Sequence, residues 1–154
     1  MDFISKSKTD TEDFAARMAA SLRPGDILFL DGDLGMGKSV FARALIRTLC
    51  NDPHLEVPSP TFTLVQTYDS ENGPIWHFDL YRIKAPEEVY ELGWDDALAD
   101  GIVIVEWPSR LNSDTNSGLA PRDYLGLGFS PSSTEPGGRI ITATPHGQWK
   151  DRLQ

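Results

Sequence analysis

Ile27-Leu28-Phe29-Leu30-Asp31-Gly32-Asp33-Leu34-Gly35-Met36-Gly37-Lys38-Ser39-Val40-Phe41-Ala42-Arg43-Ala44-Leu45-Ile46-Arg47-Thr48-Leu49 is the stretch whose reading decides the fold. An unbroken apolar run, Ile27 to Leu30, leads into a loop holding Gly32, Gly35 and Gly37 and closing on Lys38-Ser39; a segment of helical periodicity follows. Strand, glycine-rich loop, helix is the order that a phosphate-binding P-loop requires. The glycines let successive backbone N–H groups turn inward without Cβ clashes and form an anion-binding concavity. The first helical turn adds unpaired donors and the positive end of its dipole. On this pattern the amides of Asp33, Leu34, Gly35, Met36, Gly37 and Lys38 cradle phosphates, with Ser39 and Val40 opening the helix. The Lys38 ammonium reaches the β- and γ-phosphates and the Ser39 hydroxyl ligates Mg2+.

Outward from this core, the N-terminal side reads as an edge strand over residues 2–6, then a helix. Thr9 with Glu12 fits a capping box, and Phe14, Ala15, Met18, Ala19 and Leu22 share one helical face. Arg23-Pro24-Gly25-Asp26 stops that helix. After the P-loop, Phe41, Ala44, Leu45, Thr48 and Leu49 give the next helix its core-facing stripe. Residues 51–60 form a proline-punctuated loop. A hairpin is expected from Thr61 to Asp79, turning at Ser70-Glu71-Asn72-Gly73-Pro74. Pro86 opens a helix with Val89, Leu92 and Trp94 on its apolar side; a second short helix, 95–100, ends at Gly101. Ile102-Val103-Ile104-Val105-Glu106 is a wholly apolar run closed by a carboxylate, as expected for a strand buried on both faces of a parallel sheet. Residues 109–121 read as a loop. Tyr124–Phe129 and Arg139–Thr144 read as strands, and the last ten residues as a fraying end.

The 154 residues favour one domain, long enough to bury a core without disulfides or a structural metal. No apolar stretch approaches the roughly 20 residues that cross a bilayer, and the acid-bearing N-terminus is not a signal peptide. The lone Cys50 reads as a packing residue and fits a reducing, cytoplasmic compartment. A net charge of −9 argues against a protein that grips nucleic acid by itself.

Hydrolysis of a nucleotide needs acids beyond the P-loop, for Mg2+ and for the attacking water. Two stand where strands end. In Ile75-Trp76-His77-Phe78-Asp79, alternation puts His77 and Asp79 on one face and Trp76 and Phe78 on the other. Asp79 closes that strand, and Glu106 closes the most apolar strand in the manner of a Walker B acid. Either acid could instead be a solvated strand terminus. Thr61, in Ser59-Pro60-Thr61-Phe62, stands where switch segments enter P-loop sites, or in a loop shaped only by its prolines. Arg82 reads equally as a phosphate contact or a surface ion-pair partner. Trp107 reads as a nucleotide cover, a partner surface or a core tryptophan. His77 reads as a satisfied strand residue, since no second His or Cys stands at ligand spacing. Glu87, Glu88 and Glu91 read as a solvated helical face.

Taken in order, GDLGMGKS, SPTFTLVQTY, HFDLYR, ELGWDDAL and VIVEWP resemble the motifs of the bacterial TsaE family, over a span from about Gly25 to Pro108. The resemblance implies an α/β fold, P-loop NTPase-like, with a central mostly parallel sheet, antiparallel strands at the margins and helices on both faces. It also implies an ATPase of threonylcarbamoyladenosine formation in tRNAs that read ANN codons. The partners would be the TsaD and TsaB proteins, with tRNA reached only through that complex, and the cofactors ATP/ADP and Mg2+. By motif, Lys38 and Ser39 hold phosphate and metal, Thr61 belongs to the switch segment, Asp79 helps hold Mg2+, and Glu106 serves catalysis beside Trp107. Glu106 orients or deprotonates the water, or is a further Mg2+ ligand. Met36 stands where the family often has Ala, and Ser39-Val40 where it often has two Thr; serine keeps the hydroxyl. The rival readings are a small-molecule kinase, which should carry a basic lid where 109–123 offers only Arg110 and Arg122, and a nucleotide-gated binding module that hydrolyses little. A GTPase is disfavoured because no NKxD motif is present.

Overall fold

A computed structural model describes residues 1–111 and 119–153. Seven strands form one sheet: β1 (Asp2–Ser5), β2 (Ile27–Asp31), β3 (Val65–Ser70), β4 (Gly73–Asp79), β5 (Ile102–Glu106), β6 (Tyr124–Pro131) and β7 (Arg139–His146). Their spatial order is β1-β7-β6-β2-β5-β4-β3. The central four, β6, β2, β5 and β4, run parallel. The outer pairs, β1–β7, β6–β7 and β3–β4, are antiparallel.

Alternation along the central strands assigns each side chain to one of two cores. Leu28, Leu30, Ile75, Ile102 and Ile104 meet helices α1 (Lys8–Ala19) and α2 (Lys38–Leu49) on one face. Ile27, Phe29, Phe78, Val103 and Val105 meet Val89 of a 3-10 turn (Pro86–Leu92) and helix α3 (Trp94–Asp100) on the other. The expected mostly parallel sheet with antiparallel margins and helices on both faces is what the chain adopts. All five residues of β5 are buried, as a strand covered on both faces requires.

Several local expectations are corrected. The α1 cap is Ser7, whose Oγ accepts the Asp10 amide at 3.1 Å; Asp10 reciprocates on the Lys6 amide, and Thr9 lies inside the helix. Helix α2 buries Ala42 and Ile46 besides the expected Phe41, Leu45 and Leu49, with Ala44 half-buried against the same core; Thr48, expected on that stripe, is exposed and donates to the Ala44 carbonyl. The hairpin begins at Val65, since Leu64 takes a left-handed φ of 72° and breaks the run. Pro86–Leu92 is 3-10 in type, and Glu88 is its cap: its carboxylate takes the Lys84 and Ala85 amides, which hold it below the usual carboxylate range. The C-terminus does not fray up to residue 153. Helix α4 (Trp149–Arg152) buries Trp149, and Arg152 makes two contacts to Asp26, at 2.6 and 2.9 Å. The expected loop 109–121 instead starts inside a 3-10 turn (Pro108–Leu111) that buries Leu111, and residues 112–118 lie outside the described residues.

Candidate functional site

Register in the parallel centre brings the acids together. Asp79 stands beside Glu106, and Glu106 beside Leu30, at the carboxyl ends of β4, β5 and β2. That is the edge from which the glycine loop leaves the sheet, and in open α/β sheets it is where ligands sit. One pocket there is lined by Leu34, Gly35, Gly37, Lys38, Ser39, Val40, Thr61, Asp79, Glu106 and Trp107, with Ser59. Chain segments up to 73 positions apart in the sequence thus converge on a single cleft.

The loop is shaped by left-handed glycines at Gly35 and Gly37, with φ of 81° and 103°; Gly37 forms the N-cap of α2. At Gly32 the backbone passes so close to β6 that a Cβ would lie 2.5 Å from the Phe129 carbonyl oxygen. Asp33 and Met36 do not line the pocket. The Met36 amide donates back to Asp33 O at 3.3 Å, and its side chain packs against the helical core.

Lys38 is only 4% exposed. Its ammonium donates to the Gly32 carbonyl at 2.5 Å and sits 3.8 Å from the centre of the Trp107 ring. Burial pushes its pKa below the usual lysine value; the charges of Glu106, Asp79, Asp31 and Asp33 oppose that shift without reversing it. Trp107 takes a left-handed φ of 59°, and its ring lies 4.8 Å from that of Tyr81. A non-glycine residue held in this region directly after Glu106 is the kind of strain that sites retain. Trp107 is thus placed as a cover over the loop lysine.

Thr61 Oγ1 lies 2.8 Å from Ser59 Oγ and donates to Asp79 Oδ2 at 3.2 Å, while Asp79 Oδ1 accepts the Tyr81 amide. The threonine is therefore joined to the acid. Glu106, 4% exposed, pairs through Oε2 with His77 Nε2 at 2.7 Å. Arg82 contacts neither the pocket nor an acid among the described residues; its guanidinium lies 4.9 Å from the Phe62 ring. Two participants escaped the sequence reading. His77 was legible only as a strand residue, although its place on the Asp79 face was a signal. Arg139, 104 positions from Gly35, donates to the Gly35 carbonyl at 3.2 Å and braces the loop from β7; no local pattern marks it.

The donors suit a magnesium nucleotide. Among the described residues no cluster of three His, Cys, Asp or Glu is arranged to cage a metal. The polar groups that line the pocket are three hydroxyls, of Ser39, Ser59 and Thr61, two carboxylates and a buried ammonium. Mg2+ takes one or two protein oxygens and completes its shell with phosphate and water.

Fold and site together define an α/β protein of the P-loop NTPase-like class. Within it, the chain belongs to the TsaE family: the family profile described as "Threonylcarbamoyl adenosine biosynthesis protein TsaE" matches residues 5–135. A relative named tRNA threonylcarbamoyladenosine biosynthesis protein TsaE in Rickettsia felis is 45% identical over 104 residues, 68% of this chain and 60% of that protein. One of the same name in Aquifex aeolicus is 35% identical over 109 residues, 71% of this chain and 77% of that protein. The match spans about three-fifths of the Rickettsia felis protein's length. Among solved structures, Bacillus subtilis YdiB superposes with a TM-score of 0.71 at 25% identity, covering 99% of this chain and 90% of that one.

Proposed function

We propose that this protein is a Mg2+-dependent ATPase of threonylcarbamoyladenosine formation on tRNA, acting in the cytoplasm with TsaD and TsaB and reaching tRNA through them. The observation that carries this reading is the convergence of Lys38, Ser39, Thr61, Asp79 and Glu106 on one pocket at the strand ends. The amides of Gly35, Gly37 and Lys38 bind the phosphate chain at the N-terminus of α2. Lys38 leaves the Gly32 carbonyl and the Trp107 ring to neutralise charge on the transferring phosphoryl group. Ser39 and Asp79 would hold Mg2+, which would supply electrostatic stabilisation of phosphate charge. Thr61, tied to Asp79, couples the metal site to the segment 59–64. Glu106 orients the water and accepts its proton at a carboxylate oxygen.

No arginine is aimed into the pocket among the described residues: Arg82 and Arg110 lie over Phe62 and Tyr81, and neither lines it. Hydrolysis by the chain alone is therefore expected to be slow. Phosphate release is to be measured with and without TsaD–TsaB, beside Glu106→Ala and Asp79→Ala. Stimulation by the pair, lost in both variants, supports the reading. Phosphoryl transfer to a small molecule, or wild-type function retained in Glu106→Ala, overturns it.

A further inference from the structure

We propose that His77 is the positioning residue of the Glu106 carboxylate, a role that rests on the ATPase reading above. His77 is 2% exposed on β4, on the face that also carries Ile75 and Asp79. Its register partner on β5 is Ile104, so it reaches Glu106 on the diagonal, from two residues before Asp79. Its Nε2 lies 2.7 Å from Glu106 Oε2, with both side chains buried. Its Nδ1 is buried with no hydrogen-bond partner among the described residues.

The pair is buried and directional, and direction is what a positioning role asks of an imidazole. An aliphatic side chain such as Ile75, one alternation earlier, fills the same face with no polar atom to satisfy. What His77 provides that an aliphatic residue does not is one directed donor to Glu106. With Nε2–H donating, Oε2 is engaged and the carboxylate plane is fixed. Oε1, which has no partner among the described residues, is left for the water. No ion pair joins Lys38 to Glu106 or Asp79 among the described residues, so the ammonium stays available for phosphate. Second partners that orient a ligating or catalytic group in this way are worth about 10- to 100-fold in activity or affinity.

The test uses the full chain and three readouts. First, 15N NMR of the nucleotide-free wild type reads which ring nitrogen of His77 carries hydrogen; Nε2–H is expected. Second, the affinity for Mg2+-ADP is compared between wild type, His77→Ala and His77→Gln, with agreement within about twofold expected. Third, kcat for ATP hydrolysis is expected to fall roughly 10- to 100-fold in His77→Ala and to recover largely in His77→Gln, whose amide donates from a similar reach. An Nε2 without hydrogen, an unchanged kcat in His77→Ala, or a loss of ADP affinity matching the loss of kcat each overturns the proposal. Should His77→Ala not fold, the wild-type NMR and His77→Gln decide. A wild type that hydrolyses no ATP even with its partners removes the ATPase reading and this role with it; a hydrolysing wild type matched by His77→Ala removes only the role.

Discussion

Lys38 shows how a single residue carries both stability and binding. Its burial holds the ammonium pKa below the 10.5 of free lysine. The folded chain therefore binds that proton less tightly than the unfolded chain, and protonated Lys38 opposes folding. The penalty is fully present below the folded-state pKa and is relieved as pH rises from there toward 10.5. Lys38→Met lacks it. Urea midpoints of the wild type are expected to climb relative to Lys38→Met across that alkaline window, while the variant binds no nucleotide; parallel pH profiles would sink the argument. At Gly32 the constraint is steric and conformational at once, with φ at 144° and the Phe129 carbonyl in the way. Gly32→Ala should lose about 2 kcal/mol in urea unfolding. Gly35→Ala, with open space around its Cβ position, should lose only about 1 kcal/mol for its positive φ.

At the scale of elements, the chemistry belongs to strand ends and the loops that leave them. β2, β4 and β5 end in line, so their last residues and the glycine loop share one edge. The short C-terminal helix α4 serves stability instead. Trp149 is buried, Arg152 lies over its ring, and Arg152 ties the helix to Asp26 just before β2. Trp149→Ala is expected to lower stability by about 3 kcal/mol with the ADP affinity of the remaining folded protein unchanged. A chain as stable as wild type would show α4 to be dispensable. Legibility varied with range. β5 and the P-loop were readable because their signal is local: an apolar run, then glycines before a lysine. α4 was not, because four residues hold no period, and only the distant Asp26 and the core give it a partner.

Across the whole molecule, the pocket is expected to couple ligand binding to global stability, since the P-loop is anchored to β6 through Gly32 and to β7 through Arg139. Saturation with Mg2+-ADP at about 100 times Kd should add about 2.7 kcal/mol, or roughly 5–10 °C in Tm for a chain this size. Lys38→Met should show no shift in a thermal scan. The net charge of −9 acts at the same scale. At that charge the chain alone should not retain tRNA on a filter at about 0.15 M salt. Retention comparable to that of a basic RNA-binding protein would contradict this.

The amino-acid sequence by itself determined the central strands, the two long helices and the glycine loop, since periodicity, turn residues and apolar runs act between neighbours a few positions apart. It also marked both acids as strand ends. Only the tertiary structure decided which strands lie side by side, and so that Asp79 and Glu106 share an edge, that His77 pairs with Glu106, and that Arg139 braces Gly35. Those pairings join residues from 27 to 104 positions apart. No local pattern encodes them; they exist because burying both faces of a parallel sheet fixes its strand order and register, and the register then brings the side chains together.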